Sequence, residues 1–98
     1  MTDTLIQAAI EQLRDLIRLD TTSRNSNLAL LENIQAQLDA LQVPYQLTFN
    51  ADRSKANLFA TIGDPGVPGL VLSGHTDVVP VDGQDWSGDP FCLREHDG

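Results

Sequence analysis

The sequence predicts an α/β fold in which two helices precede a set of strands and a long irregular loop. Three observations carry this prediction. Apolar residues recur at helical spacing in two stretches, from Thr4 to Leu19 and from Asn27 to Gln42. Residues Tyr45 to Asn50 then alternate apolar and polar with a period of two. Finally, Leu70-Val71-Leu72 is an unbroken apolar run closed by Ser73-Gly74, which suits a strand buried on both faces.

The first helix is expected over about 4–19. Ile6, Ile10, Leu13 and Ile17 share one face, with Ala9 and Leu16 beside them. Gln7, Glu11, Gln12 and Asp15 take the other side, and Thr4 with Gln7 fits a capping box. The stripe reads as core packing rather than a partner-binding face. Asp20 to Asn27 is a connection rich in Thr, Ser and Asn, whose side chains cap helices and close turns. Capping accounts for its hydroxyls without a ligand.

The second helix is expected over about 27–42, with Leu31, Ile34, Leu38 and Leu41 as its apolar stripe. Asn25 or Ser26 caps its start, and Pro44 ends it because the residue before proline avoids the helical region. Strands follow at about 45–50 and 56–62, joined by the charged turn 51–55, which makes an antiparallel hairpin. Gly63 to Gly69 is a Gly/Pro-dense loop too short for a crossover helix, and the buried strand at about 70–74 comes next. Residues 78–91 form an irregular loop punctuated by Pro80, Gly83, Gly88 and Pro90. In that loop Trp86 and Phe91 pin the chain to the domain body, the alternative being that they wall a substrate pocket. Asp82, Asp85 and Asp89 read as turn formers. His96 stands in a polar tail and reads as solvated.

Composition narrows the function classes. The 98 residues suffice for one small domain with a marginal core. Fourteen acidic against six basic residues give a net charge of −8 with no basic cluster, which argues against nucleic-acid binding. No stretch reaches the length of a membrane span, and no basic leader with an apolar core opens the chain. The single cysteine, Cys92, excludes an internal disulfide and fits the cytoplasm. Between Phe91 and Leu93 it reads as a small buried hydrophobe.

The chemistry gathers at His75 and Asp77, directly after the buried run. In extended chain, residues i and i+2 point to the same side, so an imidazole and a carboxylate project together from a strand end. Strand ends are where open α/β sheets bind ligands. Imidazole is a common zinc ligand, and a ligating histidine usually donates its other N–H to a carboxylate or carbonyl. His75 is therefore the candidate metal ligand, and Asp77 the residue that orients it. The plainer alternative is a polar pair at a strand end, satisfied by backbone.

The longer run Leu70-Val-Leu-Ser-Gly-His-Thr-Asp-Val-Val-Pro-Val-Asp-Gly-Gln-Asp-Trp-Ser-Gly-Asp-Pro-Phe91 resembles the first metal-site motif of the M20 family of co-catalytic metallopeptidases and deacylases. Asp20-Thr-Thr-Ser followed by Arg24-Asn-Ser-Asn-Leu28, the segment Ala56 to Gly63, and the ending Leu93 to Gly98 extend the resemblance. Within the family it leans toward the acetylornithine deacetylases. The resemblance implies the N-terminal part of a zinc-peptidase-like catalytic domain, a mixed sheet between helices, here incomplete. It implies two zinc or cobalt ions in a complete enzyme, with His75 as one ligand and Asp77 as its catalytic orienting carboxylate. The bridging aspartate, the Glu-Glu pair with the general base and the last histidine would lie beyond Gly98. The implied reaction removes the acetyl group from N2-acetyl-L-ornithine, a step of arginine biosynthesis, in a cytoplasmic homodimer. The alternatives are a related deacylase such as a succinyl-diaminopimelate desuccinylase, a dipeptidase, or a small non-catalytic interaction module that kept the motif. The 98-residue chain alone is expected to be inactive, and poorly stable or self-associating because its sheet edges stay unpaired.

Overall fold

The computed structural model describes residues 2–98. Helix α1 spans Thr2–Ile17 and helix α2 spans Leu28–Ala40. Strands β1, Tyr45–Phe49, and β2, Ala56–Ala60, follow.

Helix α1 begins earlier than its capping pattern suggests. Thr4 sits inside the helix, so Thr4 and Gln7 do not form the expected box at its start. Helix α2 matches its prediction closely. At its start the Ser26 hydroxyl accepts from the Leu28 amide at 3.1 Å. Asn27 directs its side chain elsewhere. Its amide nitrogen donates to the Ala56 carbonyl at 2.8 Å, and its oxygen accepts from the Ala56 amide at 3.0 Å. This two-way bond imitates a strand neighbour and ties the head of α2 to the first residue of β2.

The end of α2 explains the turn into the sheet. The Val43 amide donates to the Leu38 carbonyl at 2.9 Å and the Gln42 amide to the Asp39 carbonyl at 3.0 Å. These are the paired bonds of a Schellman ending, which satisfy carbonyls the helix leaves open. The motif needs a left-handed residue, and Gln42 takes that role with φ 55°. A side chain there costs about 1–2 kcal/mol. Gln42→Gly is expected to stabilise the chain by about 0.5–1 kcal/mol net of the extra freedom glycine gives the unfolded state. A urea midpoint that stays put or falls would contradict this.

The hairpin forms and is antiparallel, as expected, with Tyr45 opposite Ala60, Leu47 opposite Leu58 and Phe49 opposite Ala56. Tyr45, Leu47 and Phe49 are half-buried while Gln46 and Thr48 are exposed, as the period-two pattern requires. Leu47, Phe49 and Leu58 pack against a core centred on Leu30, Leu31 and Ala56.

Two expectations fail here, for one reason. No residue of α1 is fully buried, and Ile6 and Leu13 remain 56% and 48% exposed. The run expected as a buried strand at 70–74 forms no strand, and Leu70 and Leu72 are each 96% exposed. A continuous apolar run becomes a central strand only when neighbours supply hydrogen bonds on both sides. The hairpin packs under α2 and its edges do not pair with this run. The sheet is therefore two-stranded and antiparallel instead of mixed. It offers α1 too little surface to cover.

A candidate metal-ligand site

The motif is held in place without a third strand. Residues Thr21–Ser23 form an isolated parallel bridge with Val78. The Val78 amide donates to the Thr21 carbonyl and the Ser23 amide to the Val78 carbonyl, both at 3.1 Å. The Thr21 hydroxyl adds a bond to the Thr76 carbonyl at 2.6 Å. Thr22 lies between them, 1% exposed, and its amide and hydroxyl donate to Asp20 at 3.0 and 2.6 Å. The stretch expected only to cap and turn is thus the anchor of the motif.

His75 and Asp77 come together as the i, i+2 spacing suggests. Nδ1 of His75 lies 3.0 Å from Asp77 Oδ1 and 2.9 Å from the Asp77 carbonyl oxygen. A carbonyl oxygen only accepts, and so does an ionised carboxylate, so Nδ1 carries the proton. In the neutral imidazole Nε2 then keeps its lone pair. The His75 side chain is 85% exposed, so that lone pair faces open space. The second Asp77 oxygen accepts from the Ser23 hydroxyl at 2.7 Å. The Ser23 hydroxyl, then the imidazole, hold the Asp77 carboxyl below its ordinary value of 3.8.

Two concavities flank the pair. A cleft of about 710 Å³ opens between β2 and Ser73–Asp77, with Lys55, Asn57, His75 and Asp77 on its walls. An apolar cavity of about 460 Å³ lies on the other side, walled by Leu16, Ile34, Val78, Trp86 and Phe91 and touching His75. Trp86 and Phe91 therefore line a cavity instead of only pinning the loop. Asp82 sits in a turn and also pairs with Arg24 at 2.8 Å, fastening the loop to the anchor segment. Asp89 closes a turn by accepting from the Phe91 amide at 2.9 Å. Cys92 is exposed, contrary to the buried hydrophobe expected, because no element packs over it. His96 is exposed, as expected.

The donor set fits one ligand of a divalent cation, an outward imidazole nitrogen with a carboxylate behind it. Among the described residues no group of three His, Cys, Asp or Glu side chains converges on one point. A catalytic zinc normally has three protein ligands. The remaining donors would have to come from outside these residues.

The carboxyls of Asp20, Asp52, Asp77 and Asp82 are all held low, chiefly by hydrogen bonds from Thr22, Ser54, Ser23 and Arg24 respectively. A depressed folded pKa contributes stability that is complete above the unfolded value and vanishes as pH falls through the folded one. The chain is therefore expected to lose stability below pH 3.8, with the Ser23–Asp77 tie breaking in the same range. Equal urea midpoints at about pH 6 and about pH 2 would refute this.

Sequence reasoning did not single out Ser23 or Lys55. The Lys55 ammonium donates to the Ser23 carbonyl, and this bond spans 32 positions. The Ser23–Asp77 bond spans 54. The only available signal was the Asp-Thr-Thr-Ser cluster, whose local use as turn residues explains it equally well.

Along 91% of its length the chain is 41% identical to acetylornithine deacetylase of Shigella sonnei (strain Ss046). It spans 25% of that protein. No protein-family model and no solved structure matches the chain.

Proposed function

We infer that this chain, which belongs to the M20 family of deacylases and metallopeptidases, supplies one metal-ligand segment of a hydrolase that removes the acetyl group from N2-acetyl-L-ornithine. One observation carries the reading. His75 is held through Nδ1 by Asp77, and its Nε2 is left exposed beside two concavities. A ligating imidazole usually donates its other ring N–H to a carboxylate or carbonyl in this way.

In this reading His75 is a ligand and Asp77 orients it and raises its basicity. The cations such sites hold, zinc or cobalt, lower the pKa of bound water and polarise the acyl carbonyl. Trp86 and Phe91 contribute an apolar wall next to His75. The ornithine substrate, the arginine-biosynthetic role, the cytoplasmic location and a homodimeric assembly extend the reading from the similarity to the deacetylase. No helix among the described residues is long and apolar enough to cross a membrane. Because no three donor side chains converge among the described residues, in this reading the 98-residue chain by itself is inactive.

A chimera tests this. The matching quarter of the deacetylase is replaced by this chain, and hydrolysis of N2-acetylornithine is followed with zinc or cobalt present. The expected result is deacetylation by the chimera and none by the 98-residue chain. A folded chimera that binds neither metal sinks the reading. One that prefers N-succinyl-diaminopimelate, or a dipeptide, reassigns the substrate.

A further inference from the structure

We propose that Ser23 is a positioning residue for His75: its hydroxyl fixes one oxygen of Asp77 so that the other holds the imidazole with the proton on Nδ1 and the Nε2 lone pair outward. As a statement about metal binding this rests on the ligand role inferred for His75; as a statement about the imidazole it stands without it.

The geometry is a chain of three groups. The Ser23 hydroxyl donates to Asp77 Oδ2 at 2.7 Å, and Asp77 Oδ1 faces His75 Nδ1 at 3.0 Å. The hydroxyl has one proton and a second acceptor in reach, the Val78 carbonyl at 3.3 Å. The carboxylate wins because it is closer and because a charged acceptor makes the stronger bond. The link is tertiary, 54 positions apart, so a local turn does not explain it.

Solvent is why a third group matters. The His75 and Asp77 side chains are 85% and 56% exposed. An exposed pair of this kind gains little when both partners move freely. Ser23 removes that freedom from Asp77 because its own backbone is clamped on both sides. Its amide donates to the Val78 carbonyl at 3.1 Å, and its carbonyl accepts from the Lys55 ammonium. Neither clamp uses the hydroxyl, so Ser23→Ala deletes the tie to Asp77 and leaves the anchor.

The test reads the imidazole directly, with no metal present. Long-range ¹⁵N–¹H spectra of the labelled 98-residue chain, at about pH 8 where imidazole is neutral, give the ratio of the two His75 tautomers. The same chain in urea is the reference. In wild type the Nδ1–H form is expected to be enriched over that reference. Ser23→Ala is expected to move the ratio back toward it, and Ser23→Thr, which keeps the hydroxyl, to retain the wild-type value. Leu47 and Leu58 amide signals confirm that the hairpin persists. A wild-type ratio equal to the reference overturns the proposal. So does an unchanged ratio in Ser23→Ala when Asp77→Ala abolishes the enrichment; the ligand role of His75, tested by the chimera, would survive that result. Wild type alone gives a second reading: ³J couplings should show Ser23 in a single χ1 rotamer, and averaging over rotamers overturns the proposal whether or not the variants fold.

Discussion

Leu31→Ala is expected to leave the 98-residue chain without a folded hairpin. Leu31 is 4% exposed, at the centre of a core whose only other fully buried apolar residues are Leu30 and Ala56 among those described. Truncating a buried leucine costs about 2–5 kcal/mol through lost transfer energy and the cavity left behind. With Leu30, Leu31 and Ala56 the only buried apolar residues among those described, the core has little else to offset that loss. The Asn27–Ala56 bonds do not compensate, because they join the same two elements that the leucine side chain holds together. Amide dispersion in the ¹⁵N–¹H spectrum should collapse for β1 and β2. A variant that keeps its dispersion and its urea midpoint would show that the hairpin does not depend on α2. The Leu41→Ala change is the contrast: Leu41 is 72% exposed, and its removal should be nearly silent.

In the chimera, Asp77→Asn is expected to reduce metal affinity or activity by about 10–100-fold, and His75→Ala by more. The difference follows from what each residue touches. His75 offers the nitrogen itself, whereas Asp77 acts through it by fixing the proton on Nδ1 and adding negative charge behind the ring. Asparagine keeps an oxygen in place but loses the charge. Metal retention measured by competition with a chelator separates the two substitutions from simple unfolding. If Asp77→Asn holds metal as tightly as the parent, the carboxylate is not orienting a ligand and the site has been misread.

The legible part of the fold is the part whose partners are near in sequence. Alternation from Tyr45 located β1 and its buried side because a strand's two faces repeat every second residue, and β2 lies only a short turn away. Pro44 and the Leu31–Ile34–Leu38 stripe likewise placed α2 to within a residue or two. The Leu70–Leu72 run was misjudged because apolar content states a demand for burial and says nothing of whether a neighbour exists to meet it. Helix α1 shares that fault in part: its stripe forms a helix, but only its C-terminal end packs on the core, through Leu16, while Ile6 and Leu13 stay exposed.

For the site, the sequence by itself determined the pair. The i, i+2 spacing of His75 and Asp77 brings ring and carboxylate within reach of each other in extended backbone, and the ligand role proposed for them builds on that contact. Only the tertiary structure decided what stands behind the pair. Ser23 and Thr21 reach the motif across 54 and 55 positions, Lys55 reaches Ser23 across 32, and Arg24 reaches Asp82 across 58. Such contacts leave no periodicity in the chain, because they depend on where two distant segments come to rest and not on how either one repeats.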